Sequence, residues 1–348
     1  MKALLLSEYK QLEVVDLPIP VPGSREVLVR VAACGICGSD VHGYDGSSGR
    51  RIPPVIMGHE AAGTIAAVGS EVSGLAEGDR VTFDSTAYCG VCEFCRRGEV
   101  NLCNDRQVIG VSCAEFKRAG AFAEYVTVPA HIVYRLPDTL SFAEAAMLEA
   151  VSVALHAVRI SELAGGETAL VIGAGMIGLL VLQAAHTAGC SRVFVADVDA
   201  TRLRLAADLG AEGTTHADEI VQQILDNTAG QGVDVVFEAV GRSETVAAAI
   251  DCVRKGGKVT LIGNIVPEVS MPLQKVVTRQ IRLQGSCASA GEYPQAIELI
   301  STGKIKVGRL ITAIAPLSDG PAWFQRLYER EPNLMKVVLD PRNNEVHQ

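Results

Sequence analysis

A glycine-rich segment constrains the fold of this 348-residue chain more than any other feature. Gly173, Gly175 and Gly178 form the pattern G-A-G-M-I-G, which directly follows the apolar run ALVI and opens an apolar stretch with helical character. A tight turn between a strand and a helix requires glycine where the backbone turns and where the two elements touch. The helix N-terminus then offers N–H groups to an anion. We therefore expect a strand–turn–helix unit that binds a dinucleotide pyrophosphate, with Met176 and Ile177 in the same turn.

Strand-like and helix-like segments alternate after this point. The runs ALVIG, RVFVAD, VDVVFEAV, KVTLIG and IRLQG are separated by helical stretches and a longer loop, which predicts an α/β domain with a doubly wound parallel sheet. Residues 1 to about 130 contain short Val- and Ala-rich runs between turns, such as 26–33 and 122–128, and this predicts an irregular β domain. Ser141 and Glu144 form a capping box that predicts a helix to about Arg159. The expected domains are 1–155, 156–287 and 288–348, the last rejoining the first.

Composition argues against several classes of partner. Lys and Arg number 31 and Asp and Glu number 40, which gives a net charge of −9. The sequence has no long run of positive or negative residues, and this argues against a nucleic-acid or anionic-membrane partner. No stretch reaches the roughly 20 apolar residues of a membrane span. The opening MKALLLSEYK lacks the cleavage site of a signal peptide. These features predict a cytoplasmic protein that acts on a small molecule.

Four cysteines lie within fifteen residues, in the spacing C-x2-C-x2-C-x7-C: Cys89, Cys92, Cys95 and Cys103. A reducing compartment makes a disulfide framework unsuitable. Four thiolates form a closed tetrahedral shell, which suits a structural zinc ion. An iron–sulfur cluster with the same ligands and four unrelated thiols are the alternatives. Exposed free cysteines are rare, which argues against four unrelated thiols. Zinc is the favoured metal for this spacing.

A second set of metal donors is scattered along the chain: Cys37, His59, Glu60 and Glu149. A thiolate, an imidazole and a carboxylate, with one position left open, is a typical ligand set for catalytic zinc. Taken singly, each residue has a structural alternative, such as a buried thiol or a core histidine. Cys34 precedes Cys37 by three residues, but we expect its strand to bury it.

A hydroxyl and an imidazole follow Cys37 at short distance. Ser39 comes two residues later and His42 five residues later. Oxidation of an alcohol requires loss of its hydroxyl proton, which zinc promotes as it lowers the pKa of bound water to about 7. We expect Ser39 to accept that proton and His42 to titrate near neutral pH. A surface-turn histidine is the alternative for His42.

An acidic residue is expected about 20 residues after the glycine motif, at the end of the next strand. Asp197 lies nineteen residues after Gly178. Its carboxylate would accept hydrogen bonds from the ribose hydroxyls and repel a 2′-phosphate, so the sequence predicts NAD rather than NADP. Arg202 leaves NADP open, since an arginine here either binds that phosphate or stacks on adenine.

Together these motifs resemble the zinc-containing medium-chain dehydrogenases, nearest the sorbitol and polyol dehydrogenase branch. The family's zinc signature is present as Gly58, His59, Glu60, Gly63 and Gly69, before the four cysteines and the glycine motif. The resemblance implies a GroES-like catalytic domain and a Rossmann nucleotide domain. It implies two zinc ions per chain, one structural and one catalytic, and a homodimer or homotetramer joined through the edge of the nucleotide sheet.

The resemblance also implies roles for particular residues. Cys37, His59 and a carboxylate would bind catalytic zinc, and either Glu60 or Glu149 would be the direct ligand. The other carboxylate would hold the zinc-bound water or exchange with the first. Besides Ile177, Asp197 and Arg202, the family places these residues against NAD: Ile262, Gly263, Asn264, Ser286, Cys287 and Ala288.

The expected reaction is reversible oxidation of a secondary alcohol or polyol to a ketone, with hydride transfer to NAD. Ala150 follows Glu149 where many polyol dehydrogenases have Pro, and residues 285–288 lack the Arg that sorbitol dehydrogenase offers its substrate, which argues against sorbitol. A galactitol-1-phosphate-like dehydrogenase and an L-threonine dehydrogenase are alternatives. Arg50 and Arg51 would hold a phosphate in the former case, or belong to a solvated loop. A non-catalytic nucleotide-sensing protein is the third alternative.

Overall fold

The computed structural model describes residues 1–113 and 116–342. The chain forms two compact units. The first comprises Met1–Glu149, Tyr293–Gly303 and Val307–Gln348, and the second comprises Ala150–Glu292 and Lys304–Lys306. Sequence from both ends of the chain therefore builds the first unit.

Short strands dominate the chain up to Arg135, and strands alternate with helices after it. The strands, in chain order, are β1 (Lys2–Glu8), β2 (Gln11–Asp16), β3 (Glu26–Gly35), β4 (Val55–Ile56), β5 (Glu60–Val68), β6 (Arg80–Phe83), β7 (Thr86–Ala87), β8 (Gln107–Ile109), β9 (Lys117–Arg118), β10 (Tyr125–Pro129), β11 (Val133–Arg135), β12 (Thr168–Ile172), β13 (Arg192–Asp197), β14 (Gly213–His216), β15 (Val233–Glu238), β16 (Val253–Leu261), β17 (Arg282–Gly285), β18 (Ile311–Pro316) and β19 (Lys336–Asp340). The helices are α1 (Gly38–Tyr44), α2 (Glu93–Arg96), α3 (Phe142–Ala145), α4 (Leu148–Ile160), α5 (Met176–Thr187), α6 (Ala200–Asp208), α7 (Ile220–Asn227), α8 (Ser243–Cys252), α9 (Leu273–Thr278), α10 (Tyr293–Ser301) and α11 (Gly320–Tyr328).

A seven-stranded sheet forms the body of the first unit. Its main order is β11-β6-β5-β3-β19-β18, and β10 also pairs with β3. Strand β3 buries apolar residues on the core side, with Val27, Val29 and Val31 fully buried. Because β19 pairs with β3, the C-terminal segment contributes a central strand, and it places its residues beside those that follow β3.

The second unit contains a six-stranded parallel sheet in the order β14-β13-β12-β15-β16-β17. The order of the strands reverses at β12, so the carboxyl end of this strand lies at a topological switch point. The central strands β12, β13 and β15 are mostly apolar and buried, because helices cover a doubly wound sheet on both faces. The predicted parallel α/β domain is confirmed.

The capping box at Ser141 is present, since the Ser141 hydroxyl accepts a hydrogen bond from the Glu144 N–H. The helix predicted to run to about Arg159 ends at Ile160, but it is not continuous, because one helix stops at Ala145 and a new one starts at Leu148. The Met147 N–H donates to the Glu144 carbonyl, so the backbone tightens into an i→i+3 turn. Met147 is fully buried at this break.

The strand predicted over 122–128 begins later, at Tyr125. Phe122 and its neighbours still hydrogen-bond to other segments, because the Phe122 N–H donates to the Met57 carbonyl and its carbonyl accepts from the Leu4 N–H. These contacts direct the preceding residues away from the β3 ladder.

Within residues 1–113 and 116–342, no helix is both long and apolar enough to cross a bilayer.

Candidate active site

The four cysteines of the C-x2-C-x2-C-x7-C segment come together in the first unit. All four are free thiols, and their Sγ atoms lie within 4.8 Å of one another. The sulfurs of Cys92 and Cys95 are 3.5 Å apart. A tetrahedral site with Zn–S bonds of about 2.3 Å separates its sulfurs by about 3.8 Å. The spacing therefore fits a single zinc ion held by four thiolates.

Backbone N–H groups in this loop point at the sulfurs. The Cys92 N–H lies 3.4 Å from the Cys89 sulfur, and the Cys89 N–H lies 3.3 Å from the Cys103 sulfur. Hydrogen bonds from the N–H groups of Cys95 and Asn104 lower the pKa of the Cys92 thiol to about 6, because they stabilise the thiolate. Helix α2 in this loop has no buried residue. The N–H groups thus stabilise the Cys92 thiolate, whereas burial raises the pKa of Cys95 to about 12 and also raises that of Cys103. The loop has little core of its own.

Three of the four scattered donors converge at a second point in the first unit. One ligand atom from each of Cys37, His59 and Glu60 lies within 4.8 Å of the other two. The cause is strand pairing, since Gly35 at the end of β3 faces Glu60 at the start of β5. A Cβ atom at Gly35 would lie 2.4 Å from the Glu60 carboxylate. Glycine therefore permits this close approach, and a thiolate, an imidazole and a carboxylate fit a catalytic zinc ion.

Glu149 differs from Glu60 in its surroundings. Among the described residues, it is not part of the group of mutually close ligand atoms around Cys37. Its carboxylate accepts a hydrogen bond from the Ser85 hydroxyl at 3.3 Å. Burial raises the pKa of the Glu149 carboxyl, His59 lowers it, and Glu60 raises it further. The structure therefore separates the two carboxylates that the sequence left as equivalent choices.

Asp40 lies behind His59, and sequence reasoning missed it. It is fully buried, and its Oδ1 atom lies 3.4 Å from His59 Nδ1. Burial alone would raise the pKa of the Asp40 carboxyl, but His59 and Arg51 outweigh that effect and lower this pKa to about 2. His59 Nδ1 has no hydrogen-bond partner within the described residues, so at this distance Asp40 acts on the ring through its charge, which favours a ring that turns Nδ1–H toward the carboxylate. The sequence signal that could have identified Asp40 is its position three residues after Cys37, in the first turn of α1.

Arg51 has a different environment from the one expected. It is 4% exposed, and its Nη2 atom donates to Ser39 Oγ at 3.0 Å and to Asp40 Oδ1 at 3.1 Å. The phosphate role of the two arginines stays a prediction, whereas the expectation of a solvated loop is wrong for Arg51. A buried carboxylate binds its guanidinium instead. Arg50, by contrast, is exposed.

Lys336 is a second buried cation at this site that sequence reasoning missed. It is 2% exposed, forms a salt bridge with the Glu60 carboxylate, and donates to the Ile36 carbonyl at 3.1 Å. Burial alone would lower the pKa of Lys336, but the charges of Glu60 and Cys37 raise it. The lysine is therefore charged at neutral pH. No local pattern pointed to it, since 276 residues separate it from Glu60.

The two residues of the expected proton path lie on α1. Ser39 is half-buried and its Oγ atom accepts a hydrogen bond from Arg51. His42 is exposed, and its carbonyl accepts hydrogen bonds from the segment after the helix. Ser39 thus has the environment of a site residue and His42 that of a residue open to solvent. Their roles in proton transfer remain predictions.

In the second unit, the glycine motif forms the expected turn between β12 and α5. Gly173 has φ +98°, and a Cβ atom at Gly178 would lie 1.7 Å from the Gly173 carbonyl oxygen. Both positions therefore require glycine. Gly175 is the N-cap of α5, and a Cβ atom there would meet no atom within 4 Å. The helix N-terminus is thus open to an approaching anion.

The remaining predicted cofactor residues follow the carboxyl ends of the parallel strands. Residues 262–264 come after β16 and residues 286–288 after β17. Because the strands are parallel, all their carboxyl ends lie at the same end of the sheet. These segments therefore lie at the same end of the sheet as the glycine turn. The Ser286 hydroxyl is buried and has no hydrogen-bond partner within the described part of the chain. An unpaired buried hydroxyl at this edge fits a polar ligand, while Cys287 is exposed.

Asp197 lies at the end of β13, next to the glycine turn. Its Oδ2 atom accepts from the Ala174 N–H at 2.6 Å, and its Oδ1 atom accepts from the Asp199 N–H at 2.9 Å. These bonds fix the carboxylate beside the second residue of the motif. Arg202 is farther out and lies 3.9 Å from Asp199, with both side chains more than two-fifths exposed. Asp197 is therefore the better-placed group of the two for a ribose.

Comparisons with known proteins agree with this geometry. Residues 23–138 match the family model described as "Alcohol dehydrogenase GroES-like domain", and residues 177–302 match "Zinc-binding dehydrogenase". Sorbitol dehydrogenase from Bacillus subtilis (strain 168) is 34% identical over 349 residues, which cover 98% of this chain and 97% of that protein.

Solved structures give the same result along the whole chain. A putative zinc-binding dehydrogenase from Sinorhizobium meliloti 1021 bound to NADP is 34% identical, with a TM-score of 0.89, and the match covers 98% of this chain and 99% of that chain. An alcohol dehydrogenase from Escherichia coli CFT073 complexed with NADH is 28% identical, with a TM-score of 0.90 and the same coverage. The chain therefore belongs to the zinc-containing medium-chain alcohol dehydrogenase family, and it is a zinc- and nicotinamide-dependent oxidoreductase.

Proposed function

We propose that this dehydrogenase reversibly oxidises a secondary alcohol or polyol to a ketone, with NAD as the hydride acceptor. The convergence of Cys37, His59 and Glu60 supports this proposal most directly. Three such ligands would hold a zinc ion and would suit the binding of a substrate hydroxyl as a further ligand. The similarity to sorbitol dehydrogenase supports a polyol substrate class.

The residues around the donor set have distinct tasks. When bound, zinc supplies Lewis-acid chemistry that lowers the pKa of an alcohol hydroxyl. Ser39 accepts the hydroxyl proton on its Oγ atom and releases its own hydrogen toward His42 or water. Asp40 orients His59, and Lys336 offsets the charge of Glu60. NAD held at the glycine turn would supply the hydride acceptor for the substrate carbon.

NAD rather than NADP is the proposed cofactor. Asp197 is held next to the glycine turn by two backbone N–H groups, so it is available to bind the ribose hydroxyls from a fixed position. An ionised carboxylate there repels a 2′-phosphate. Arg202 lies against Asp199 instead, which argues against its use as a phosphate ligand.

A substrate panel tests this function. We expect NAD reduction with a secondary alcohol or polyol, and a kcat/KM with NAD at least about tenfold above that with NADP, equivalent to about 1.4 kcal/mol. Asp197→Ser should reduce this ratio, whereas Asp226→Ser, a carboxylate on α7 that pairs with Gln222 at the surface, should leave it unchanged. The measurement is initial-rate kinetics over polyols, diols, sugar-alcohol phosphates and L-threonine.

The same panel decides between the alternatives. A large rate gain from a substrate phosphate would favour a sugar-alcohol-phosphate dehydrogenase, although only the exposed Arg50 remains of the arginine pair to hold that phosphate. Preference for L-threonine would favour the hydroxy-amino-acid alternative. Turnover of no alcohol by zinc-loaded protein would favour a nucleotide-sensing protein and overturn the proposal.

We infer further that Glu60 is the direct ligand of the catalytic zinc and that Glu149 holds its water. Glu60 belongs to the group of close ligand atoms, whereas Glu149 pairs with Ser85 outside it. The salt bridge to Lys336 fixes the Glu60 side chain near the other ligands. A fixed carboxylate loses less conformational entropy when it binds a metal.

Zinc analysis of two matched variants tests this assignment. We expect Glu60→Gln to lose the catalytic zinc on dialysis, because the amide is a weaker ligand, and Glu149→Gln to retain it with a lower kcat. Zinc per chain is measured by elemental analysis, and thermal unfolding shows whether the unpaired Lys336 has destabilised the fold. Zinc loss from Glu149→Gln alone would reverse the assignment.

We also propose that copies of the chain associate as a homodimer or homotetramer in the cytoplasm. Strand β17 is at an edge of the parallel sheet, and an unpaired edge is ready to pair. Exposed apolar side chains lie in the segment before it: Ile265, Val269, Met271, Leu273 and Val277. Apolar groups in such a segment are typical of protein contacts.

The ten free cysteines suit a reducing compartment such as the cytoplasm. The net charge of −9 gives no support to a nucleic-acid partner.

A further inference from the structure

We propose that Arg51 is a positioning residue of the zinc site, which holds both the proton acceptor Ser39 and the carboxylate Asp40 behind His59. This inference rests on the proposed dehydrogenase function. It adds a role to a residue that touches neither zinc nor substrate in that proposal. Its basis is the geometry of a single buried guanidinium group.

One nitrogen atom of Arg51 makes both contacts. Its Nη2 atom lies 3.0 Å from Ser39 Oγ and 3.1 Å from Asp40 Oδ1. A terminal guanidinium nitrogen has two hydrogens, so each contact uses one of them. The planar group thereby fixes two neighbouring residues of α1 relative to each other. One residue belongs to the proton path and the other to the support of a zinc ligand.

Asp40 depends on this contact. Its carboxylate is fully buried, and it contacts the Cys37 N–H at 3.2 Å, Arg51, and His59 at 3.4 Å. Loss of one partner of a buried ion pair leaves a charge without compensation. Without Arg51, we expect the Asp40 carboxylate to rotate away from its present position. His59 would then lose the group that orients its ring.

The surrounding chain is shaped to hold Arg51. A Cβ atom at Gly43 would lie 2.7 to 2.8 Å from the Cβ, Cγ and Cδ atoms of Arg51, so α1 has glycine where the aliphatic stem packs. The carbonyl of the preceding residue, Arg50, accepts hydrogen bonds from the N–H groups of Ser112 and Cys113. These contacts fix the backbone at the base of the side chain. Packing of the aliphatic stem and a fixed backbone therefore hold the Arg51 side chain in place.

The contact also limits the direction of proton transfer. A guanidinium group is always charged and has no acceptor atom, so the hydrogen released by Ser39 cannot pass to Arg51. The Arg51 hydrogen bond occupies one lone pair of Ser39 Oγ. The other lone pair remains for the substrate hydroxyl, and the serine hydrogen points to a third direction. Arg51 thus orients Ser39 for accepting on one side and donating on another.

Variants of Arg51 test both halves of the proposal. We expect Arg51→Gln to release the catalytic zinc about tenfold faster to a chelator, within the range for loss of a group that supports a ligand, and to lower kcat with the KM for NAD unchanged. Arg51→Lys should restore part of both, since it keeps the charge and at least one hydrogen bond. Arg135→Gln is the control, because it removes a guanidinium paired with Asp79 at the surface of the same unit.

A double-mutant cycle with Ser39→Ala separates the two contacts. The fall in kcat should be less than additive in Ser39→Ala/Arg51→Gln, because both changes affect the same proton acceptor. The zinc release rate should follow Arg51 alone. A zinc release rate in Arg51→Gln equal to that of Arg135→Gln, in folded protein by circular dichroism, would overturn the proposal. If the wild-type protein oxidised no alcohol, the proposed function would fail, while the zinc release rates would still decide the role of Arg51.

Discussion

Replacement of Cys37 by serine is expected to reduce kcat at least about 1,000-fold, equivalent to about 4 kcal/mol of transition-state stabilisation. The Cys37 thiolate is one of three converging ligands, and a serine hydroxyl does not replace it because it is not ionised at neutral pH. The variant should therefore contain one zinc ion per chain where the wild type contains two. Elemental analysis and initial rates on the same sample measure both effects. His59→Ala should give the same pair of results.

Cys34→Ala is the matched control for that experiment. Cys34 is a fully buried thiol three residues away and belongs to neither donor set. Its replacement removes a thiol from the neighbouring strand end without removing a ligand, so both zinc ions should stay. Wild-type kcat in Cys37→Ser with two zinc ions bound would contradict the assigned catalytic site. Equal losses in both variants would point to a packing defect.

The charge balance around this site explains how it would favour an alkoxide. Lys336 pairs with Glu60, and Arg51 pairs with Asp40, so these four buried charges cancel in pairs. Cys37 then remains as the thiolate that faces a divalent cation. A zinc ion held there would keep a net positive charge and would supply Lewis-acid stabilisation to an alcohol oxygen. Removal of Lys336 would weaken this balance by leaving a second uncompensated anion.

Features that depend on neighbouring residues could be predicted from the sequence. The glycine turn is one, because φ +98° at Gly173 and the 1.7 Å approach at Gly178 both require glycine. The position of Asp197 is another, since parallel strands bring the end of β13 beside the end of β12. The burial of Cys34 in β3 was also predicted, and the structure confirms it. In each case, the constraint acts over one or two elements.

Features that depend on distant segments could not be predicted in this way. The ion pair between Arg51 and Asp40 spans eleven residues, from a loop to a helix, so an arginine near glycine suggested a solvated loop. The break at Met147 was not signalled either, because a capping box marks only where a helix begins. Lys336 reaches Glu60 only because β19 pairs with β3. These contacts required the tertiary fold, which a single sequence does not specify by pattern.

Replacement of Cys95 by serine is expected to remove the structural zinc and unfold the loop of residues 89–103 locally. Helix α2 has no buried residue, and Val91 and Leu102 are exposed, so apolar burial cannot replace the metal. Zinc binding contributes about 10 kcal/mol or more to small zinc-folded modules, which is more than such a loop can supply by itself. Limited proteolysis with mass spectrometry should show new cuts within 89–103, and elemental analysis should show one zinc ion lost. Cys113→Ser, a half-buried thiol outside both donor sets, should show neither change. An uncut loop in zinc-depleted Cys95→Ser would show that the loop folds without metal.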